Sequence, residues 1–218
     1  MAATSERAPK TLADLHARLG SIPLERIRLH PAPGTATEAD LLKPHGRVCE
    51  LIDGVLVEKA SGNRESMLAV YIGTLLGNYI EPDDMGVILG AGGLIRAGAD
   101  QLRSPDVTFI PWSSFPNGEL PEDEAYWSVA PGLIVEVLSP GNTAAEIDRK
   151  LSELFSVGCK LAWVIDPATK SAKVYTSAKK FKEFDSSGIL DGGKVLPGFK
   201  VPLASLFAST KRRKKKPR

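Results

Sequence analysis

The chain has 218 residues, of which 43% are hydrophobic and 25% are charged. This composition is typical of a globular protein, and the length allows one domain with a substantial core. No apolar run approaches the roughly 20 residues that a membrane-spanning helix needs, and Met1 to Lys10 lack the apolar stretch of a secretory signal. Two isolated cysteines and three scattered histidines exclude a disulfide framework and a zinc-ligand spacing. We therefore expect a cytoplasmic protein that does not associate with a membrane.

The net charge of +2 hides a strong asymmetry along the chain. Segment 211–218 (KRRKKKPR) carries seven basic residues, and the remaining 21 basic and 26 acidic residues give the rest a net charge of about −5. A basic block at a terminus is usually disordered and often contacts polyanions. Residues 208–218 are therefore predicted to be a disordered basic tail, which would bind nucleic acid either in support of a specific function or non-specifically.

Residues 1–44 are predicted to be an N-terminal extension, partly irregular, with one short helix followed by several prolines. The main domain is predicted to span residues 45–207. It opens with two β-prone runs joined by Asp53-Gly54, the strongest hairpin signal in the chain. Glu50 lies in the first of these runs. It either points inward or is a solvated hairpin residue.

The middle of the chain is predicted to contain one helix, two short strands and a long loop. The helix, over residues 65–80, is apolar on most sides and is expected to be largely buried. The strands, 87–89 and 94–95, flank a run of glycines that favours a hairpin turn, because no Gly-Lys-Ser/Thr follows to make a phosphate loop. Residues 111–130 form a loop with an acidic stretch at 119–124, which is interpreted as a lid or a partner surface.

The most informative stretch is Leu133 to Leu138 (LIVEVL), a continuous apolar run that ends at Ser-Pro-Gly. Such a run is typical of a strand that is buried on both faces. Glu136 lies in its middle. Burial of a lone carboxylate costs several kcal/mol unless a cation, hydrogen bonds or protonation compensates. Glu136 is therefore either a functional acid with a partner elsewhere in the chain or a structural acid that accepts hydrogen bonds from backbone amides.

Two residues are candidate partners of Glu136. Asp106 follows Pro105 at the head of a strand predicted over residues 102–110, although Pro-Asp by itself is also common in turns. Lys150 lies on or beside the apolar stripe of an amphipathic helix over 144–157, so its side chain either faces the core or extends along the helix to water. Two carboxylates can hold Mg²⁺, or Mn²⁺ in its place, and a nearby ammonium can then orient or deprotonate a bound water.

The second half of the chain indicates the fold class. The strand 133–138, the helix 144–157 and a further buried strand at 161–167 form a β-α-β crossover, which implies a mixed sheet with one parallel pair. Alternating edge strands follow over residues 173–184, and a last short helix is expected at 203–207. The predicted fold class is α/β (α+β): a mixed β-sheet flanked by helices, with an N-terminal β-hairpin.

Five motifs, in this order, resemble the Uma-two family of the PD-(D/E)xK nuclease-like superfamily. The motifs are Glu50 to Gly54, Pro105 to Val107, Leu133 to Pro140, Lys150, and Trp163 to Pro167, and they are followed by Leu196-Pro197-Gly198-Phe199 before the last helix. The resemblance covers roughly residues 45–207. It implies a restriction-endonuclease-like fold with a site for a divalent metal.

The resemblance also implies roles for individual residues. Asp106 and Glu136 would be the metal carboxylates. Leu138 stands two residues after the glutamate, where the superfamily pattern has its lysine, and Lys150 matches the displaced lysine of the family. Glu50 matches the hairpin glutamate, which would belong to the same catalytic set.

The function that the resemblance implies is a metal-dependent DNA endonuclease that hydrolyses phosphodiester bonds. DNA would be the partner, and a homodimer would suit double-strand cleavage. Many relatives carry a histidine at the start of the helix after the hairpin, whereas this chain has Arg64-Glu65-Ser66 there. The alternative is a catalytically inactive nuclease-fold module that binds nucleic acid or protein.

Overall fold

The computed structural model describes residues 9–60 and 62–209, without the side chain of Ser209. The predicted basic tail therefore lies almost entirely outside the described residues. The α-helices of the described part are α1 (Leu12–Arg18), α2 (Glu38–Leu41), α3 (Asn63–Ile80), α4 (Ala144–Ser156) and α5 (Leu203–Ser209). None of them is long and apolar enough to cross a membrane.

The strands alternate with these helices along the chain. They are β1 (Cys49–Ile52), β2 (Val55–Glu58), β3 (Gly86–Gly90), β4 (Ile95–Gly98), β5 (Gln101–Arg103), β6 (Val107–Pro111), β7 (Leu133–Val137), β8 (Leu161–Asp166), β9 (Ser171–Ser177), β10 (Lys180–Phe184), β11 (Ile189–Asp191) and β12 (Lys200–Pro202). The protein therefore has a mixed α+β fold, as predicted.

The central element is a six-stranded sheet with the strand order β10-β9-β8-β7-β6-β3. All five residues of β7 are buried, because helices cover both faces of the sheet at its centre. The pair β7–β8 is parallel and is connected through α4, while the other pairs of this sheet are antiparallel. The predicted β-α-β crossover and mixed sheet are confirmed.

A second sheet has four strands in the order β2-β1-β5-β4. Its first two strands form the predicted hairpin, with Ile52 opposite Val55 and a two-residue loop between them. Asp53 and Gly54 in this loop have φ values of 50° and 71°. Positive φ at both positions is what a type I′ hairpin turn requires, and Asp-Gly tolerates it well. The hairpin prediction is confirmed.

The pairing predicted for the glycine-rich segment is wrong. Strands β3 and β4 do not form a hairpin, because β3 pairs with β6 in the six-stranded sheet and β4 pairs with β5 in the four-stranded sheet. The strand predicted over 102–110 is correspondingly two strands, interrupted at Ser104, Pro105 and Asp106. Pro105 has no N–H to donate to a ladder, so the chain leaves one sheet there and enters the other. Asp106 lies at this junction.

The helix after the hairpin begins at Asn63 and is less buried than its composition suggested. Leu68, Ile72 and Leu76 pack in the core, but Met67 and Val70 are 45% and 67% exposed. Only one side of α3 contacts the sheet, and the other side faces solvent. The expectation of a largely buried helix is therefore wrong for this face.

The N-terminal extension packs against the hairpin. Leu15, Leu19 and Ile22 form an apolar cluster with inward-facing residues of β1 and β2. Thr11 and Asp14 form a capping box that fixes the start of α1. The described part of the extension is therefore an integral layer over the four-stranded sheet.

Candidate active site

Asp106 and Glu136 meet on one face of the six-stranded sheet. In the antiparallel pair β6–β7, Val107 lies opposite Val135, so continuation of this register places Asp106 opposite Glu136. Opposed residues of an antiparallel pair lie on the same face, with Cβ atoms about 4.5–5.5 Å apart. The backbone N–H of Val137 donates to Asp106 Oδ2 over 2.8 Å, which fixes the aspartate carboxylate beside the glutamate.

Helix α4 brings Lys150 to the same place from above the sheet. Its capping box of Thr143 and Glu146 fixes the start of the helix, and its apolar stripe packs on the sheet. Lys150 Nζ lies 2.5 Å from Glu136 Oε1. The lysine side chain is only 5% exposed, so the interpretation of a lysine that extends to water is wrong. Glu136 is paired with this ammonium, and its partner is not a set of backbone amides.

Glu50 from the hairpin completes the buried cluster. Its carboxylate accepts hydrogen bonds from Arg103 Nη1 at 2.9 Å and from the Ser104 backbone N–H at 2.8 Å, and it lies 2.8 Å from Lys150 Nζ. Glu50 is 3% exposed. It therefore points inward, and the interpretation as a solvated hairpin residue is wrong.

Lys59, directly after β2, supplies a second ammonium to the site. Its Nζ donates to Asp106 Oδ1 over 2.8 Å and to the backbone oxygen of Ser104. The backbone N–H of Lys59 donates to Val48 O, which continues the hairpin ladder by one residue and places the side chain at the junction of the two sheets. The three carboxylates of the site thus face Lys59, Lys150 and Arg103.

The protonation of this cluster differs from that of the same groups in water. Burial, the largest effect, and the neighbouring Asp106 raise the pKa of Glu136 to about 7, although Lys150 opposes the shift. Burial would raise the pKa of Glu50, but Lys150 and Arg103 outweigh it and lower that pKa well below its usual range. Burial would likewise lower the pKa of Lys150, but the two glutamates outweigh it and raise it. Lys150 is therefore protonated at neutral pH.

A chain of ion pairs holds α4 against the hairpin. Glu153 lies 2.6 Å from both Arg103 Nε and Arg149 Nε. Arg149 and Arg18 both reach Asp53 Oδ2 in the hairpin turn, at 2.9 and 3.1 Å. Because Lys150 follows Arg149 directly, these contacts fix the position from which Lys150 approaches Glu136.

Arg26, from the N-terminal extension, holds the first turn of α4. Its guanidinium contacts both carboxylate oxygens of Glu146, at 2.5 and 2.9 Å, and donates to the backbone oxygens of Glu58 and Gly141. The pair is buried, and a bidentate arginine–carboxylate pair is strongly directional. Arg26 therefore connects the end of the hairpin, the turn after β7 and the start of α4.

The carboxylates surround a small cavity of about 10 Å³, close to the minimum that a single water molecule needs. Asp106, Glu136, Lys59 and Lys150 are among its lining residues. Glu136 Oε1 is buried and makes no hydrogen bond of acceptable geometry to any described residue, although it contacts the Lys150 ammonium. The space and the under-satisfied oxygen suit a small hard cation.

The donor set limits which metal the site could hold. The described residues contain no group of three or more His, Cys, Asp or Glu side chains that could hold a metal ion. The chain would supply the two carboxylates of Asp106 and Glu136, and waters or substrate oxygens would complete the coordination. This fits Mg²⁺, which keeps several waters, and does not fit structural Zn²⁺, which takes four protein ligands.

The structure brings together all four residues singled out from the sequence, Asp106, Glu136, Lys150 and Glu50. It adds residues that the sequence did not mark, chiefly Lys59 and Arg103. A lysine at the end of a hairpin strand is ordinarily solvated, so Lys59 carries no signal. Arg103 sits beside Leu102 and before Pro105, and that apolar setting was the one available hint that its side chain is buried.

A solved structure confirms the class of the fold. The chain aligns with the "crystal structure of a putative nuclease belonging to DUF820 from Anabaena variabilis" with a TM-score of 0.69 and 19% sequence identity, over 78% of this chain and 95% of that chain. None of the curated proteins matches the chain. The mixed sheet with its covering helices is thus similar to the fold of that protein.

The family follows from the sequence itself. Residues 37–204 match Uma2, described as "Putative restriction endonuclease". Because the match covers most of the chain, the protein belongs to the Uma2 family. The resemblance to the Uma-two family is thereby confirmed, and the match begins within the N-terminal extension, before the boundary predicted at residue 45.

Proposed function

We propose that this protein is a divalent-cation-dependent endonuclease that hydrolyses phosphodiester bonds of DNA. The observation that carries the proposal is that Asp106, just before β6, and Glu136, on β7, line one small cavity together with Lys150, whose ammonium contacts Glu136. Membership of a family described as "Putative restriction endonuclease" and the likeness in fold to a structure described as a "putative nuclease" support it. The reaction would add water to phosphorus, break one phosphorus–oxygen ester bond and release the strand end with a hydroxyl group.

In this proposal Asp106 and Glu136 hold Mg²⁺ or Mn²⁺. The bound cation supplies Lewis-acid chemistry: it favours ionisation of water and stabilises charge on the leaving oxygen. Lys150 holds Glu136 in place and, being protonated, acts as a donor and a positive charge in the site, so the role of a base is less suited to it. Glu50 keeps Lys150 and Arg103 in position.

The test combines cation binding with cleavage. Calorimetry with Mg²⁺ and Mn²⁺ would compare the native protein with Asp106→Asn and Glu136→Gln, and a plasmid-nicking assay would follow on the same samples. Glu122→Gln, an exposed residue of the loop 111–130, removes the same kind of charge outside the site. We expect the two site variants to lose binding and nicking by at least tenfold, while Glu122→Gln keeps both. Absence of nicking by the native protein with either cation would contradict the proposal.

A non-catalytic module that binds nucleic acid is the second candidate, and one observation favours it. The carboxylates of Asp106, Glu136 and Glu50 already face Lys59, Lys150 and Arg103, so the cluster is close to neutral without a cation. Deletion of residues 211–218 separates the two functions. A nuclease should still nick DNA at low salt, whereas a binder that depends on the tail should lose most of its affinity and its salt dependence.

A further inference from the structure

The two lysines of the site differ in how completely they are bound. Lys150 Nζ contacts three oxygens, those of Glu50 at 2.8 Å, Glu136 at 2.5 Å and the Ser104 backbone at 3.3 Å. The Lys150 ammonium is thus surrounded by three oxygens, two of which belong to carboxylates. Lys150 lines the small cavity, and it lines neither of two larger cavities of the described structure.

Lys59 has a donor to spare. Its Nζ contacts Asp106 Oδ1 and the Ser104 backbone oxygen, and no third partner is found among the described residues. Its side chain is 9% exposed. Unlike Lys150, it lines both the small cavity and a larger one beside it. Lys59 is thus the ammonium that connects the carboxylates to open space.

The larger cavity, here named the α3 groove, lies beside the first half of α3 and has a volume of about 470 Å³. This volume lies within the range of pockets that hold one small ligand. Its walls include the small residues Gly73 and Gly90, the exposed Val70 and the aspartate of the site, Asp106. The space is suited to one nucleotide of a strand and not to the full width of a duplex.

Four charged residues line the α3 groove. Arg47 and Lys59 are the cations of its wall, and Glu65 and Asp106 are the anions. Arg47 pairs with Glu58 at 3.6 Å and its side chain is 75% exposed, so it remains open to solvent. Arg47 and Lys59 therefore supply the positive charges that a phosphate in this groove would meet.

We propose that Lys59 binds a phosphate oxygen of the strand to be cut, and that this strand enters the site through the α3 groove. The inference rests on the proposed nuclease function. Lys59 exchanges its contact with Asp106 for a phosphate oxygen when Asp106 takes up a cation, and it keeps the Ser104 backbone contact throughout. Lys150 stays with the glutamates as a positioning residue.

The first experiment measures the affinity of the full-length protein for a dye-labelled single-stranded oligonucleotide, by fluorescence anisotropy with Ca²⁺ in place of Mg²⁺. Lys59→Met should weaken binding about tenfold and reduce the slope of log affinity against log salt by about one. Lys59→Arg should restore most of the affinity. Lys200→Met, which removes an exposed lysine from β12, is the matched control and should change affinity less than twofold.

The second experiment blocks the α3 groove without changing any charge. A Cβ at Gly73 would meet Val107 at an ordinary 3.8 Å, so Gly73→Leu can fold, and its side chain would occupy the groove. Gly77 lies one turn further along α3, does not line the groove and has open space around it. We expect Gly73→Leu to weaken binding and nicking at least fivefold and Gly77→Leu to leave both unchanged.

The possible results distinguish the phosphate contact of Lys59 from the proposed nuclease function. If the native protein nicks DNA and Lys59→Met and Gly73→Leu behave like the native protein, the inference is wrong and the nuclease function stands. Equal losses in Lys59→Met and Lys200→Met would reduce the effect to net charge and also overturn it. If the native protein binds through Lys59 but never nicks, the nuclease function fails and the phosphate contact is upheld. A native protein that neither binds nor nicks contradicts both.

Discussion

The two faces of the six-stranded sheet differ in what covers them, although the same strands supply both. On one face, α3 and α5 pack against Leu133, Val135 and Val137 of β7 in a cluster made of apolar side chains. On the other face, α4 covers Ile134 with apolar residues but also brings a lysine to Glu136. Strand alternation thus turns Leu133, Val135 and Val137 toward an apolar core, and it turns Glu136 toward the charged cluster on the other face.

The difference between the two faces bears on stability and on chemistry in different ways. Apolar burial stabilises a fold by about 25 cal/mol per Å². A buried ion pair contributes little net stability, because the loss of hydration offsets most of the attraction between the charges. We infer that apolar packing on both faces stabilises the fold, and that the charged cluster on the α4 face is kept for function. Three substitutions test this inference.

The largest effect is expected on the apolar face. Trp163 is fully buried on β8 and stacks on Phe199, with ring centroids 6.1 Å apart. Trp163→Ala should lower the free energy of unfolding by about 3–5 kcal/mol, because it removes a large side chain and leaves a cavity. Urea unfolding measures this change. Trp163→Phe, which keeps most of the ring, should cost less than about 2 kcal/mol. Equal losses of stability in the two variants would contradict the prediction that the packing of a large ring at this position stabilises the fold.

A smaller loss is expected when the ion cluster is broken. Arg103→Met would leave the buried Glu50 and the half-buried Glu153 with fewer partners, and it should lower the free energy of unfolding by about 3 kcal/mol. Arg149→Met, which affects a 21%-exposed arginine of the same network, should cost no more than about 1 kcal/mol. If the double variant Glu50→Gln with Arg103→Met is no more stable than Arg103→Met alone, an uncompensated charge on Glu50 is not the cause of the lost stability.

The smallest change is a dependence on pH. The folded-state pKa of Glu136 is about 7, above the usual 4.5 of a glutamate, so the folded protein binds more protons than the unfolded chain between these values. Stability should therefore fall as pH rises from 5 to 8, by on the order of 2 kcal/mol in metal-free buffer. The difference between the native protein and Glu136→Gln isolates this contribution. Glu122→Gln should follow the native curve, and a difference that is independent of pH would contradict the prediction.

Much of the candidate site could be predicted from local sequence. Glu136 stands out because it interrupts an apolar strand, and Lys150 because it lies beside the apolar stripe of a helix. Asp-Gly marks the hairpin that carries Glu50. Each of these signals depends on residues within a few positions of one another, so the sequence alone displays it.

The parts that could not be predicted depend on contacts between distant segments. Lys59 and Arg103 carry no local pattern, because their burial follows from the approach of the second sheet to β6. The pairing of β3 with β6 and of β4 with β5 was missed for the same reason. A strand's hydrophobic pattern indicates that it pairs, but it does not specify with which partner.

The sequence by itself determined most of the elements, the family and the acids of the candidate site. Periodicity, turn residues and an interrupted apolar strand are properties of neighbours in the chain. Only the tertiary structure decided which cation meets which carboxylate: Lys150 with Glu136 and Glu50, Lys59 with Asp106, and Arg103 with Glu50. These pairs join residues 14 to 100 positions apart, and an ion pair forms only where the folded backbone brings its two charges within a few ångströms.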